Sequence, residues 1–345
     1  MKRIRVMVAG AGIVLFGFAV LAMSGIVNVA ANVQPYALTE WLWHIAVRQS
    51  VTLRSIVINA PPLDNPDMIR RAAGHYELVC ATCHGSPVRS PAAYARHILP
   101  RPPHLVLQMN RWRPPARVFW TVKHGIRHTA MPAWPDQLRD DEVWDMAAFL
   151  RALPEMSRDT YRALSGDGAS SMCARCHGAN GEGGGSGLPG LDIQSPAYLE
   201  AALRAFRDGS RTSGIMQNIA DALDDHAIDD LAARYGRRTV APKLTETGTG
   251  ADIALRGIPD RRIPACQGCH GPDARIDYPS LAGQDAAYIE QQLRLFAKLG
   301  AQRGGRHAEI MATAVSGLST DEMTAVAAWY AGRRSALPGN SFVME

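Results

Sequence analysis

The sequence lacks any long run of one charge. Its 37 lysine and arginine residues and 32 aspartate and glutamate residues give a formal net charge of +5. Because the basic residues are dispersed, they do not predict nucleic-acid binding. No phosphate-binding glycine loop, Ser-His-Asp arrangement or acid–base pair stands out. The 345 residues contain 31 glycines, 22 prolines and 47% hydrophobic residues, which excludes a collagen-like fibre and wholesale disorder and leaves a folded protein of two or three domains.

Cysteine is also scarce, and all six cysteines fall in one pattern. The pattern is Cys-x-x-Cys-His, it occurs three times, and no cysteine is left over. The residues are Cys80, Cys83 and His84; Cys173, Cys176 and His177; and Cys266, Cys269 and His270. Each motif is followed by glycine, and each starts 93 residues after the previous one. The chain therefore contains an internal repeat.

This spacing predicts covalent haem attachment. On a helical turn, positions i, i+3 and i+4 lie on one face, so both sulfurs and the imidazole of a motif address the same group. Two thiols bond to the vinyl groups of a haem, and the histidine binds its iron. A zinc site usually needs four ligands, a thioredoxin-like dithiol needs a βαβ setting, and a disulfide framework needs no histidine beside every second cysteine. We therefore predict three haem c groups as cofactors.

Alignment of the second and third repeats predicts the other ligand of each iron. In both repeats a proline precedes a tyrosine by nine residues, the tyrosine precedes a phenylalanine by eight, and a methionine precedes a final tyrosine by nineteen. The aligned residues are Pro189, Tyr198, Phe206, Met216 and Tyr235, and Pro279, Tyr288, Phe296, Met311 and Tyr330. Met216 and Met311 are the predicted ligands. Met323 competes with Met311, but it follows a capping box from Ser319 to Glu322 and is expected to pack in a helix core.

The first repeat is more divergent. Met131 lies in a proline-bounded loop, eighteen residues before Phe149, and is the predicted ligand of the first iron. His128 is the alternative, and it would give a bis-histidine haem of lower potential. Asn65 is expected to cap the helix that leads to the first motif, and a helix is expected from about residue 139 to 153.

Each repeat resembles a class I cytochrome c domain. The shared features are a helix before the motif, a proline-containing loop, a methionine-bearing loop and a C-terminal helix. In the family this last helix carries an aromatic residue and crosses the first helix. The last two repeats together resemble small periplasmic diheme cytochromes, because residues 279–284 are close to the sequence pattern of that group. The first resembles membrane-bound cytochrome subunits of periplasmic dehydrogenases and oxidases, on residues 74–77 and 125–134. The resemblance implies an all-α fold, with each domain a few helices wrapped round a covalent haem.

The N-terminus predicts a membrane anchor. Lys2, Arg3 and Arg5 precede an uncharged run at residues 6–27, which favours a retained transmembrane helix over a cleaved signal peptide. Positive residues stay in the cytoplasm, so the haem domains of this single-pass protein of the bacterial inner membrane would lie in the periplasm. A helix near residues 39–58 either lies on the membrane or packs on the first domain or on a partner. The predicted segments are an anchor (1–31), an interfacial helix and linker (32–62), cytochrome c domains (63–155, 156–245 and 246–336) and a tail (337–345).

Irons closed by histidine and methionine offer no site for a substrate, which predicts an electron carrier and not an enzyme. The expected donor is a dehydrogenase or a quinol-oxidising complex, and the expected acceptor is a terminal oxidase or a soluble cytochrome. Two alternatives remain: a peroxidase-like enzyme with an open site at the first haem, and a fixed cytochrome c subunit of a dehydrogenase or oxidase complex. Haem propionates would add up to six negative charges, so the formal charge identifies no partner.

Overall fold

The computed structural model of the chain describes residues 2–30, 33, 36–109, 113–166, 168, 171–236, 246–272 and 274–332. The predicted tail at 337–345 and the linker residues 237–245 lie outside the described residues. Within the described residues every regular element is a helix, beside isolated bridges between single residues, which confirms the all-α prediction. The α-helices are α1 (Lys2–Met23), α2 (Ala37–Ser55), α3 (Pro66–His75), α4 (Ala81–His84), α5 (Leu105–Gln108), α6 (Pro115–His124), α7 (Asp140–Ala152), α8 (Arg158–Ser165), α9 (Ala174–His177), α10 (Pro196–Arg207), α11 (Gly214–Asp221), α12 (Asp225–Tyr235), α13 (Thr249–Arg256), α14 (Gln267–His270), α15 (Ala286–Leu299), α16 (Ala308–Val315) and α17 (Thr320–Ala331).

Two helices, α1 and α2, precede the first of the three repeats, called here the first unit. α2 packs against α6 and buries Val51 and Ser55, and the ring of Trp43 meets that of His128 edge-on at 5.7 Å. This segment therefore packs on the first unit, which is one of the positions left open for it. Within the described part of the chain, no helix combines the length and the apolar composition needed to cross a bilayer. The transmembrane anchor predicted for residues 1–31 is thus not supported by the structure.

The first unit is built around the contact of α3 with α7. The side chain of Asn65 accepts a hydrogen bond from the Asp67 N–H, which confirms the predicted cap. Tyr76 is fully buried at the start of a π-helical turn that runs from Tyr76 to Cys80. Its hydroxyl donates to the Gly85 carbonyl at 2.7 Å. This hydrogen bond joins the residue after the first motif to the buried helix before it.

Helix α8 follows the predicted end of the first domain at residue 155, yet it packs against α3. Its Tyr161 is fully buried in the core of the first unit, 6.3 Å from the ring of Phe149. The Tyr161 hydroxyl donates to Glu77 Oε2 at 2.5 Å. The resemblance implies that the helix before each motif packs within its own unit. Helix α8, which precedes the second motif, instead packs on the first unit, where Tyr161 donates to Glu77.

The third unit is formed by the contact of α13 and α15 with α17. A side chain at Gly250 would collide with the Ala325 carbonyl, so the close approach of α13 and α17 requires glycine. The capping box of Ser319 and Glu322 is present, and Met323 is 4% exposed in the core, both as predicted. In the second unit α10 packs against α11 and α12 around a smaller core.

Candidate haem sites

Each Cys-x-x-Cys-His motif forms a short helix that begins just after its first cysteine and ends at its histidine. These helices are α4, α9 and α14. All six cysteines lie within the described residues, and none of them forms a disulfide. Burial raises the pKa of Cys80 to about 12 and that of Cys176 to about 11, because a thiolate would lose its hydration. Cys80 and Cys176 are therefore held as thiols, the form whose S–H bond adds across a vinyl group.

The three motif histidines share one orientation. The Nδ1 atoms of His84, His177 and His270 each lie 2.9 Å from a prolyl carbonyl oxygen. The acceptors are Pro103, Pro189 and Pro279. A carbonyl accepts only, so Nδ1 carries the proton and the lone pair stays on Nε2. Burial lowers the pKa of all three histidines, which favours the neutral, metal-binding form.

The second and third motifs open onto one shared cavity of about 400 Å³. Its walls contain both predicted ligand pairs, His177 with Met216 and His270 with Met311, together with the four thiols of these motifs. The Nε2 atom of His270 is buried without a hydrogen-bond partner. Apolar side chains line the rest, among them Leu199, Phe206, Leu293 and Phe296. Thiols, the unpaired imidazole nitrogen of His270, thioether sulfurs and apolar walls together fit c-type haem.

The predicted methionine ligands of these two units lie on helices, whereas the resemblance implies loops. Met216 lies in the first turn of α11, and Met311 lies within α16. Ser213 caps α11, because its hydroxyl oxygen accepts the Met216 N–H at 3.1 Å. Residues 206–216 and 296–311 thus differ in length but end in the same arrangement, a methionine on a short helix that faces the shared cavity.

In the first unit the predicted ligand does lie in a loop. The Met131 carbonyl accepts the Ile126 N–H at 3.2 Å, and the Met131 N–H donates to Thr129 Oγ1 at 3.1 Å. Gly125 has a φ of +62°, and a side chain there would collide with the carbonyl of Met131. The competing His128 has its ring against α2, as described above. His84 and Met131 lie outside the shared cavity, and ligation of the first iron by Met131 stays a prediction.

Two glutamines join the second and third units reciprocally. The Gln194 amide donates to the Ser280 carbonyl and accepts the Ser280 N–H, both at 2.9 Å. The Gln284 amide donates to the Gly190 carbonyl at 2.9 Å and accepts the Gly190 N–H at 2.8 Å. Gly190 and Ser280 directly follow the prolines that orient the motif histidines. The sequence analysis missed this pair, although the two glutamines are 90 residues apart, like the aligned prolines and tyrosines.

The first unit contacts the second at its haem-attachment helix, because α3 packs against α9. A Cβ atom on Gly74 would stand only 2.8 Å from Cys176 Sγ, so this approach requires glycine. Arg70 Nε donates to the Gly184 carbonyl at 2.8 Å. His75, which follows Gly74 in α3, is buried and lines the shared cavity. The helix that leads into the first motif therefore contacts the second Cys-x-x-Cys-His motif.

A buried carboxylate forms the second contact between these units. Glu142 of α7 is 4% exposed. Its oxygens accept the Ser213 hydroxyl at 2.6 Å, the Gly214 N–H at 2.7 Å and the Trp134 indole N–H at 3.2 Å. Arg139 lies 2.9 Å away and compensates its charge. Glu142 thus accepts from buried N–H groups in the first turn of α11 that have no carbonyl partner within the helix, and α11 carries the predicted ligand of the second iron.

Comparison with known proteins agrees with this geometry. Residues 67–150 match the family described as cytochrome c oxidase, cbb3-type, subunit III. Residues 168–233 and 263–331 match the family described as cytochrome c. The chain is thus similar to an oxidase subunit in its first unit and to cytochrome c in the other two.

Similar curated proteins align with about half of this chain. A thiosulfate dehydrogenase electron acceptor of Stutzerimonas stutzeri is 33% identical over 199 residues, which are 54% of this chain and 91% of the relative. One of Thiomonas intermedia is 36% identical over 174 residues, 48% of this chain and 79% of the relative. Cytochrome c4 of Thiocapsa roseopersicina is 31% identical over 172 residues, 48% of this chain and 88% of the relative. The chain therefore belongs to the cytochrome c family and is an electron-transfer protein, not an enzyme.

Proposed function

We propose that the chain is a triheme electron relay, with each iron held between a histidine and a methionine. The observation that carries this proposal is the repeated orientation of His84, His177 and His270 by a prolyl carbonyl at 2.9 Å. An imidazole fixed at Nδ1 offers Nε2 to a metal, and a methionine as the second ligand would raise the reduction potential and leave the iron no site for a substrate. The haem supplies the reversible one-electron change, and the chain binds, orients and shields it.

Haem content tests the number of sites. The full chain is produced in a host that attaches c-type haem, and haem is measured per polypeptide by alkaline pyridine spectroscopy and intact mass. We expect three haems, and two in each variant in which one motif loses both cysteines, such as Cys80→Ala with Cys83→Ala. Fewer than three haems in the unaltered chain would overturn the triheme proposal.

We further propose that the electron donor is a periplasmic dehydrogenase. Two relatives are named as electron acceptors of a thiosulfate dehydrogenase, which favours an enzyme that oxidises a small reduced sulfur compound over a quinol-oxidising complex. Stopped-flow mixing of the oxidised chain with a thiosulfate dehydrogenase and thiosulfate tests this. Rapid haem reduction that depends on both supports the proposal, and no reduction faster than with thiosulfate alone refutes it.

The first unit supports a second candidate, a fixed subunit of a respiratory oxidase. Its match to a cbb3-type oxidase subunit covers residues 67–150, and an oxidase would then be the immediate acceptor. Purification in mild detergent separates the alternatives. An oxidase that stays with the chain in fixed stoichiometry favours the subunit, and a chain that elutes alone but reduces an added oxidase or soluble cytochrome favours the carrier.

We propose a periplasmic location in a bacterial cell, with tethering to the inner membrane by residues 1–31. The uncharged run after the basic N-terminus supports the tether, and covalent haem attachment agrees with the periplasm. Cell fractionation of the full chain and of a chain in which a cleavable signal replaces residues 1–31 tests both parts. We expect haem in the membrane fraction only for the full chain. Equal release of the two would refute the tether, and a full chain without haem in the cytosol would refute the location.

A further inference from the structure

Arg303 is a buried cation without an anionic partner. Its side chain is 2% exposed and lines the shared cavity. Nε donates to Gln292 Oε1 at 3.0 Å, Nη2 donates to the same oxygen, and Nη1 is buried with no partner. No carboxylate among the described residues lies within ion-pair distance of this guanidinium. An amide oxygen satisfies a donor, but it does not neutralise a charge.

Arg211 is a second cation in the wall of the same cavity. Its Nη1 and Nη2 atoms donate to the hydroxyls of Tyr198 at 3.1 Å and Tyr288 at 3.2 Å. These tyrosines occupy equivalent positions of the two repeats, so Arg211 lies between the second and third units. None of its described contacts is with a carboxylate.

The two arginines are related by the repeat. The guanidinium of Arg211 lies 4.5 Å from the ring centroid of Phe206, and that of Arg303 lies 5.5 Å from the ring centroid of Phe296. These phenylalanines are aligned residues of the repeat. Each unit therefore contributes one arginine above its equivalent phenylalanine. The offset from phenylalanine to arginine is not the same, which hides this equivalence in the sequence.

The backbone holds the arginines side by side. The Thr212 N–H donates to the Arg303 carbonyl at 3.2 Å, and the Gly305 N–H donates to the Ser210 carbonyl at 2.9 Å. Gly304 pairs with Arg211 in an isolated bridge, and a side chain at this glycine would collide with the Ser210 carbonyl. The two cations are thus fixed together at the boundary between the units.

The positive charges of Arg211 and Arg303 lie side by side in the wall of the cavity and need an anion to compensate them. Burial, together with the nearby charge of Arg211, lowers the pKa of Arg303 to about 9. The neighbouring Arg139 is compensated by Asp141 and Glu142, so Arg211 and Arg303 remain in excess. A guanidinium matches a carboxylate in shape as well as in charge, because its N–H groups form a planar fork.

We propose that Arg211 and Arg303 form a carboxylate cradle that binds the propionate groups of the haems in the second and third units. The inference rests on the proposed haem sites and adds to them a shared anion site between two cofactors. Because a cation near an iron favours its reduced state, the cradle raises the reduction potentials of both haems together. The first haem, whose predicted ligands lie outside the cavity, is not affected.

The test compares three full-length holoproteins with the unaltered chain. Arg303→Gln removes the charge, Arg303→Lys keeps it without the fork, and Arg294→Gln removes the charge of a partly exposed arginine that pairs with Glu290 on α15. Haem content and three midpoint potentials are measured by spectroelectrochemical titration from pH 6 to pH 9. We expect Arg303→Gln to retain three haems and to lower two potentials by a tenfold change in the reduction equilibrium, about 59 mV per electron. Arg303→Lys should recover most of this shift.

Each outcome decides the proposal. Two lowered potentials with recovery in Arg303→Lys support the cradle, and so does haem loss in Arg303→Gln with retention in Arg303→Lys, because the charge is then needed for binding. Potentials that match those of Arg294→Gln overturn it. Haem loss in both Arg303 variants also overturns it, since it indicates a packing role. An unaltered chain without haem at the second or third motif refutes the proposed function instead.

Discussion

The second unit meets its two neighbours in different ways. Towards the third unit the contact is symmetric, since Gln194 and Gln284 bond to equivalent residues in opposite directions. Towards the first unit no reciprocal pair of this kind occurs among the described residues, and the contact includes the close approach at Gly74 and the buried carboxylate of Glu142. The symmetric contact joins two copies of one repeat and encloses a shared cavity. The asymmetric contact instead binds the helix that carries one predicted ligand.

The two contacts are stabilised by different kinds of interaction. A duplicated surface pairs with itself when each copy supplies the same side chain, so one glutamine position serves both directions. A divergent unit has no matching surface and needs specific charged groups, which cost free energy unless every donor and acceptor is satisfied. We therefore expect the asymmetric contact to be the more sensitive of the two to single substitutions.

The largest effect is expected at Glu142. Glu142→Ala leaves the first turn of α11 without its acceptor and removes one of the two carboxylates that pair with Arg139, which should destabilise the contact by about 3–5 kcal/mol. The measurement is denaturant unfolding, followed by the absorption band of methionine-ligated haem. Asp159→Ala is the control, because that carboxylate is 95% exposed, and its change should stay within about 0.5 kcal/mol. Equal denaturant midpoints for the two variants would show that Glu142 does not stabilise the contact between the first and second units.

The symmetric contact predicts two equal effects. Gln284→Leu leaves the N–H and carbonyl of Gly190 unpaired, and Gln194→Leu does the same at Ser280, so each should cost about 1–3 kcal/mol. Unfolding is monitored by the haems of the second and third units, with exposed Gln302→Leu as the control. A clear difference between the two glutamine variants would show that the contact is not symmetric in energy.

A smaller effect is expected where α3 approaches α9. Gly74→Ala places a methyl group against Cys176 Sγ, which cannot move aside once it is bonded to haem, and we expect a net loss of about 1 kcal/mol. Gly268→Ala is the matched control, because a Cβ there meets open space. The third unit should gain or keep stability in the control. A Gly74→Ala variant as stable as Gly268→Ala would mean that the two helices are not in close contact.

The smallest effect concerns Asp277, in the loop of the third unit beside the shared cavity. Arg275 donates to it at 2.9 Å and His307 lies 3.3 Å away, which lowers the pKa of this carboxyl group. A lowered folded pKa gives stability that is present above the unfolded pKa, about 3.9, and is lost as pH falls through the folded value. Asp277→Asn should flatten acid unfolding of the third unit below about pH 4. An unchanged acid profile would contradict this ion pair.

The sequence predicted local and repeated features well. The capping box at Ser319 and the cap at Asn65 follow from residue type and spacing alone, and both are present. Gln194 and Gln284 were missed, yet the 90-residue offset could have found them. Glu142 and the position of α8 could not be predicted, because their partners are distant in sequence and have no counterpart in the other repeats. Such contacts depend on how unlike surfaces meet, which no periodicity encodes.

Near-infrared magnetic circular dichroism of the oxidised full chain distinguishes the ligand pairs of ferric haem and so tests whether every iron is closed by histidine and methionine. We predict three low-spin haems per chain, each with this ligation, and the loss of one such signal in each of Met131→Ala, Met216→Ala and Met311→Ala. A high-spin haem in the resting protein, a bis-histidine signal from the first unit, or an unchanged spectrum in any of these variants would contradict it.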